Sequence, residues 1–261
     1  MSPRVKGQPS AESRQNDILR RVYAAGHVSV SALSAELNVS PMTVRRDLRT
    51  LADQNLVSVV HGGATIQDDR TQGLAFSARA TREAAAKRRI GKAAVADIGI
   101  DAVIGIDAGT TALEIAMQLP EDFRGTVISH SVPVLSTMLT RPAIQTVGLG
   151  GDLLFRSRCM LSGASVELAE SLRLNHLFMG ASAINADGVY VHSTLELDMK
   201  RAMMRAAERV TLVCDRSKVG TAGAVRVDDL SCLHTLITDG PALDDGLAAA
   251  LHNADIRVVL A

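Results

Sequence analysis

Apolar residues Ile18, Leu19 and Val22 recur at helical spacing from about Ser13 until Gly26 interrupts them, which predicts a first amphipathic helix. A short extended stretch follows at 28–30. Leu33 and Leu37 then mark a second short helix that ends at Asn38. Ser40-Pro41 signals a fresh start, because a serine hydroxyl accepts from orphan N–H groups and a proline at the first helical position forfeits no bond. From there to about Asp53, Val44, Leu48 and Leu51 fall at i, i+4 and i+7 and share one stripe, leaving Thr43, Arg45, Arg46 and Arg49 on the outer faces. Residues 56–60 are β-rich and run into His61-Gly62-Gly63, as a small hairpin wing does. Three helices and a wing therefore occupy 13–66, behind a polar Pro/Gly/Ser-rich stretch at 1–12 expected to be a disordered arm.

Residues 67–86 lack amphipathic order at first and then turn helical, as a linker into a second domain at 87–261 would. Beyond it the pattern changes period. β-branched runs at 103–106, 126–129, 146–149, 176–179, 210–213, 236–238 and 256–260 alternate with helical stretches, the signature of a mostly parallel sheet covered by helices. The expected fold class is α/β: a small N-terminal winged helix-turn-helix domain and a larger α/β domain.

Composition sharpens this picture. Hydrophobic residues make up 47% and aromatics only 2% with no Trp, so the core must be built of Ala, Val, Leu and Ile, as suits helices packed on buried parallel strands. The formal net charge of zero conceals a division: residues 1–66 hold eight Lys/Arg against five Asp/Glu, a net +3, and the remainder holds twenty against twenty-three, a net −3. The basic part is the part with the helix-turn-helix pattern. Cys159, Cys214 and Cys232 are far apart without CxxC spacing, so they read as reduced small hydrophobes; His27, His176, His192, His234 and His252 show no metal-ligand spacing. No metal or cofactor is expected. No apolar run reaches membrane-spanning length and the first residues lack the apolar core of a signal peptide, so the expected location is the cytoplasm, without a membrane partner.

A helix that enters the major groove needs a capped N-terminus near the phosphates, short polar residues at its start and arginines that fork onto guanine edges or phosphates. The segment Val39-Ser40-Pro41-Met42-Thr43-Val44-Arg45-Arg46-Asp47-Leu48 has all three. Asp47 reads as the local partner of a neighbouring arginine. The run VSPMTVRRDL followed by HGGA resembles the helix-turn-helix signature of DeoR-type repressors, and the similarity extends through nearly all of the chain. The resemblance implies double-stranded operator DNA as a partner, with Ser40, Pro41, Thr43, Arg45, Arg46, Arg49, His61 and Gly62 at the interface. This chain departs from the family in having Asn55 where Gly is common and Val59 where Arg is common, which removes a wing arginine contact.

The second constellation is Asp107-Ala108-Gly109-Thr110-Thr111, at the end of a predicted strand and the start of a helix. Its Gly and Thr suit a phosphate at a positive helix end, while Asp107 suits sugar hydroxyls; a tight βα turn with a threonine cap is the plainer alternative. Ser129, Gly150-Gly151, Gly180 and Asp215-Arg216-Ser217-Lys218 also fall just after predicted strands, and in an open α/β sheet such carboxyl ends converge on one crevice. In DeoR-type sensors, by resemblance, the DxGTT, GG and DxSK segments line a pocket for a phosphorylated sugar or similar effector. That assigns Asp107, Gly109, Thr110, Thr111, Ser129, Gly150, Gly151, Gly180, Asp215 and Lys218 to effector binding, with Lys218 set against the phosphate. Ser129-His130 stands where the family often has Thr-Asn, so the other end of the effector is expected to differ.

Plainer readings fall to the remaining features. Met203-Met204 reads as core, Lys87-Arg88-Arg89 as a solvated helix face, and Glu196 with Lys200, at i and i+4, as a surface helix pair. Three functions compete: a repressor with a catalytically silent sensor, an enzyme like the phosphosugar isomerases that the second domain's implied fold resembles, and a DNA-binding scaffold without an effector. No second acid/base pair, acyl nucleophile or metal cluster is legible, which favours the repressor. A single winged domain covers only a short half-site, so a dimer or tetramer is expected.

Overall fold

The structure is a computed structural model that describes residues 11–25, 27–53, 57–60, 62–66, 76–240 and 243–261. Contacts divide it into two compact units, one up to Thr81 and one from Arg82 onward.

The first unit contains α1 (Ala11–Ala25), β1 (His27–Ser29), α2 (Val30–Leu37), α3 (Pro41–Asp53), β2 (Val57–Val60), β3 (Gly63–Ile66) and α4 (Phe76–Thr81). Helix α1 opens at Ala11, so residues 11 and 12 are helical where an arm was expected. Ser29 caps α2 through a bond from the Ala32 N–H, and Asn38 closes it in the left-handed conformation. The three helices meet over Ile18, Val22, Leu33, Val44, Leu48 and Leu51, with Val57 and Ala64 sealing the wing side. Strands pair antiparallel in the order β1-β3-β2. Gly63 is required there, because a Cβ would lie 2.1 Å from the Val28 carbonyl oxygen. Phe76 is buried and α4 packs on α1, so residues 76–81 of the expected linker are ordered within this unit, while 82–86 belong to the second.

In the second unit, α5 (Ala84–Val95) is followed by β4 (Val103–Ile106), α6 (Thr110–Gln118), β5 (Thr126–Ser129), α7 (Val132–Met138), β6 (Gln145–Gly148), β7 (Asp152–Leu154), β8 (Cys159–Leu161) and α8 (Gly163–Ser171). The chain continues through β9 (His176–Gly180), β10 (Ala183–Asn185), β11 (Gly188–Val191), α9 (Leu197–Ala206), β12 (Val210–Val213), β13 (Val225–Asp228), β14 (Thr235–Thr238), α10 (Asp245–Asn253) and β15 (Arg257–Leu260). Seven strands form one parallel sheet in the order β15-β14-β12-β9-β4-β5-β6. They are the seven strands predicted from the β-branched runs. Successive side chains alternate between two cores: Leu177 and Met179 face one with α9 and α10, while Phe178, Ile104 and Ile106 face the other with α5, α6 and α7. The result is a three-layer α/β unit. The hairpin β7-β8 and the antiparallel trio β10-β11-β13 were not legible, since runs of three or four residues carry too little alternation.

Strand β4 sits between β5 and β9, so the chain winds outward to β6, returns, and then builds toward β15. The strand order reverses between β4 and β9. In doubly wound sheets a crevice opens at such a reversal, outside the carboxyl ends of the strands.

Candidate functional site

On α3, Ser40 Oγ accepts from the Thr43 N–H at 3.1 Å and shares a 2.9 Å hydrogen bond with Thr43 Oγ1, so both hydroxyls are engaged in capping. Pro41 occupies the first helical position. Arg45, Arg46 and Arg49 are exposed on the face opposite the Val44/Leu48/Leu51 stripe. Gly62 is exposed at the wing turn, whereas His61 and Asn55 lie outside the described residues. Asp47 corrects its expectation. It is buried on the inner side of α3, and its carboxylate takes the Nε of Arg14, from α1, at 2.5 Å, a second Arg14 bond at 3.1 Å and the Gln15 amide at 3.3 Å. Its partner is 33 residues away, not a neighbouring arginine of α3. This pair raises the Arg14 pKa, chiefly through the hydrogen bond.

At the reversal between β4 and β9, Asp107 follows β4 and is buried. One carboxylate oxygen, Oδ2, accepts the Gly180 N–H at 2.9 Å and a short bond from Lys200 Nζ, which also donates to the Gly180 carbonyl at 2.9 Å. Asp107 thereby ties the ends of β4 and β9 to α9. The other oxygen, Oδ1, makes no hydrogen bond among the described residues and lies 3.6 Å from His130 Nε2. Burial pushes the His130 pKa down to about 4, with Lys200 acting the same way and Asp107 opposing, so the imidazole is neutral at pH 7.

Lys200 is the residue that the sequence reading misplaced. It is 3% exposed and paired with Asp107, not the surface partner of Glu196. Helical spacing gave no signal for this, because Lys200 stands one residue off the Met199/Met203/Ala206 stripe of α9 and is buried through its pairing with Asp107. Lys87 repeats the lesson, being buried beside Ala86 and Ile90 with its Nζ on the Arg82 carbonyl, whereas Arg88 and Arg89 are exposed.

Gly109 adopts φ 143, a conformation suited to glycine, with open space where a Cβ would be. It begins α6 without a side-chain cap, and Thr110 and Thr111 are buried in the first turn. Ser129 is buried but occupied: its hydroxyl donates to the Ile106 carbonyl at 2.6 Å and accepts the Ser131 N–H at 3.0 Å. Around this point Thr111 Oγ1, His130 Nδ1 and Ser131 Oγ join Asp107 Oδ1 as buried polar atoms without a hydrogen bond among the described residues. Such atoms are costly to leave unsatisfied. Cys159, on the β7-β8 hairpin, bridges to Ser131, and burial raises its thiol pKa to about 11. The thiol is therefore unreactive.

The other expected residues are distributed along neighbouring strand ends. Gly150 and Gly151 follow β6 and are exposed. Asp215 follows β12 and caps the 3-10 turn Arg216–Lys218 by accepting the Ser217 N–H at 3.2 Å, with Lys218 Nζ 3.9 Å from its second oxygen. Sheet order makes these ends consecutive, β12, β9, β4, β5 and β6, and direct bonds join Asp107, Gly180 and Lys200 to one another. Among the described residues, no group of His, Cys, Asp and Glu is placed to hold a metal ion, and no helix is long and apolar enough to cross a membrane.

Comparison with known proteins adds an independent line. A family model described as the DeoR-like helix-turn-helix domain matches residues 14–70, and one described as the DeoR C terminal sensor domain matches residues 82–240. The chain is 31% identical to the L-fucose operon activator of Haemophilus influenzae, over 95% of this chain and 99% of that protein. It is 30% identical to the glycerol-3-phosphate regulon repressor of Escherichia coli, over 87% and 90%, and 29% identical to a putative aga operon transcriptional repressor of Escherichia coli O157:H7, over 95% and 93%.

Proposed function

Since the chain belongs to the DeoR family of transcriptional regulators, and is thus a DNA-binding regulator rather than an enzyme, we propose that it represses a carbohydrate-catabolic operon and leaves its operator when a phosphorylated sugar binds at the carboxyl end of the parallel sheet. The division of labour follows the sequence: DNA binding at 13–66, effector sensing at 87–261, with 67–86 between them. The observation that carries the reading is the set of buried, unsatisfied polar atoms around Asp107 at the reversal of strand order. Asp107 Oδ1 accepts a sugar hydroxyl, and the uncapped start of α6 with Thr110 and Thr111 receives the phosphate. Lys218, at the end of β12, adds positive charge. That relatives are named for L-fucose and glycerol-3-phosphate supports small polyhydroxylated molecules, one of them phosphorylated. The sensing unit also supplies the contacts of a dimer or tetramer, so that two wings reach two half-sites in the cytoplasm.

A thermal-shift series of sugar phosphates and their unphosphorylated parents tests this. One phosphorylated compound is expected to raise the melting temperature in proportion to the logarithm of its concentration, and its unphosphorylated parent to do little. Equal shifts from both members of every pair would sink the phosphate assignment.

A further inference from the structure

One feature of α3 plays no part in the capping, the ion pair or the arginine contacts. Met42 is 68% exposed, the most exposed large apolar side chain of the first unit among the described residues. A scattered surface apolar residue is ordinary, so position decides whether it means anything. Met42, Arg45, Arg46 and Arg49 stand at i, i+3, i+4 and i+7 and form one exposed stripe, diametrically across α3 from the buried Val44, Leu48 and Leu51. Met42 leads that stripe, in the first turn, where recognition helices contact base edges. The hydroxyls on either side of it, Ser40 and Thr43, are committed to each other and to the cap.

A thioether has no N–H and accepts hydrogen bonds only weakly, so it is blind to the donor and acceptor pattern of the major groove. The apolar feature that the groove offers is the 5-methyl of thymine. Met42 is also unbranched, so it adapts to the groove without a fixed shape. We propose that Met42 is a base-reading residue that packs on a thymine methyl in each half-site, beside the positions read by Arg45 and Arg46. This rests on the reading that α3 enters the major groove.

The test uses the full chain and a site selected by it from a random double-stranded DNA pool. Each thymine is replaced in turn by deoxyuridine, which lacks only the methyl group, and binding is measured for wild type, Met42→Ala, Arg45→Ala and Arg46→Ala. One thymine per half-site is expected to lose about four-fold in wild-type affinity on replacement, the worth of one buried methyl, and to lose nothing further with Met42→Ala. Met42→Ala should weaken the thymine site by a similar factor with unchanged thermal melting. If Met42→Ala keeps full affinity and the same deoxyuridine penalties while the arginine variants bind weakly, α3 reads DNA without Met42 and this proposal is overturned alone. If neither arginine variant changes affinity, the placement of α3 falls, and the proposal with it.

Discussion

Asp107 commits one oxygen to structure. Lys200 and the Gly180 N–H saturate Oδ2, while Oδ1 makes no hydrogen bond among the described residues. Removing Lys200 strands a buried carboxylate, which costs about 3–5 kcal/mol by the usual measure of a broken buried ion pair, whereas removing both partners in favour of apolar groups costs much less. Lys200→Met is accordingly expected to destabilise the sensing unit severely and the Asp107→Leu/Lys200→Met double variant to recover a large part of the loss. Denaturant unfolding of the four forms measures it, and additive losses would show that the pair is uncoupled. His130 gives a pH-dependent counterpart. Its folded pKa of about 4 lies below the ordinary 6.5, so as pH falls the unfolded chain takes up the proton first. The stability this neutral imidazole allows is complete above pH 6.5 and declines between 6.5 and about 4, by up to about 3 kcal/mol. His176, also pushed down to about 4 by burial, acts in the same direction. His130→Asn should flatten the wild-type decline between pH 7.5 and 4.5 in urea unfolding; curves that stay parallel would mean that His130 titrates normally.

At the scale of elements, α3 separates two kinds of charge. Asp47 holds α3 to α1 through Arg14, while Arg45 and Arg46 on the other side are exposed. Asp47→Ala leaves the largely buried Arg14 cation without its carboxylate and should cost the winged unit about 2–3 kcal/mol. Arg45→Ala and Arg46→Ala should leave melting unchanged and weaken operator binding: by about 1–3 kcal/mol with relaxed specificity for an arginine on guanine, or with a log-log salt slope lower by about one for an arginine on phosphate. Melting curves beside salt titrations of binding distinguish the two classes, and an Asp47→Ala protein as stable as wild type would refute the tie. Periodicity made this helix legible because its stripe is local. The same periodicity, applied to α9, puts Met199, Met203 and Ala206 inward and leaves Lys200 one residue off that stripe, as Arg45 stands to Val44, so only Asp107 beside it shows why this lysine is buried.

At the scale of the whole molecule, a DNA-binding unit and a sensing unit must share a free energy. If the effector loosens DNA, then DNA loosens the effector by the same factor, because coupling between sites is reciprocal. Thr110→Ala and Lys218→Ala are expected to keep operator affinity and lose sensitivity to the sugar phosphate, the behaviour of a repressor that cannot be induced. Titrating a labelled complex of protein and operator with the metabolite reads this directly. Release of both variants at the wild-type concentration would move the pocket elsewhere.

The sequence alone determined the three helices and wing of the first unit and all seven strands of the parallel sheet. These depend on spacing within a few residues, and spacing is what a sequence displays. It also carried the DxGTT turn, because glycine and threonine are needed where a strand hands over to a helix N-terminus. Tertiary structure decided the rest: that Asp47 answers Arg14 across 33 positions, that Lys200 reaches Asp107 across 93, and that Ser129 is consumed by the Ile106 carbonyl while Thr111, His130 and Ser131 are left unsatisfied. Each of those outcomes depends on elements distant in sequence that the fold brings together, and the cost of burying a charge is settled by the partner found there, which no local pattern encodes.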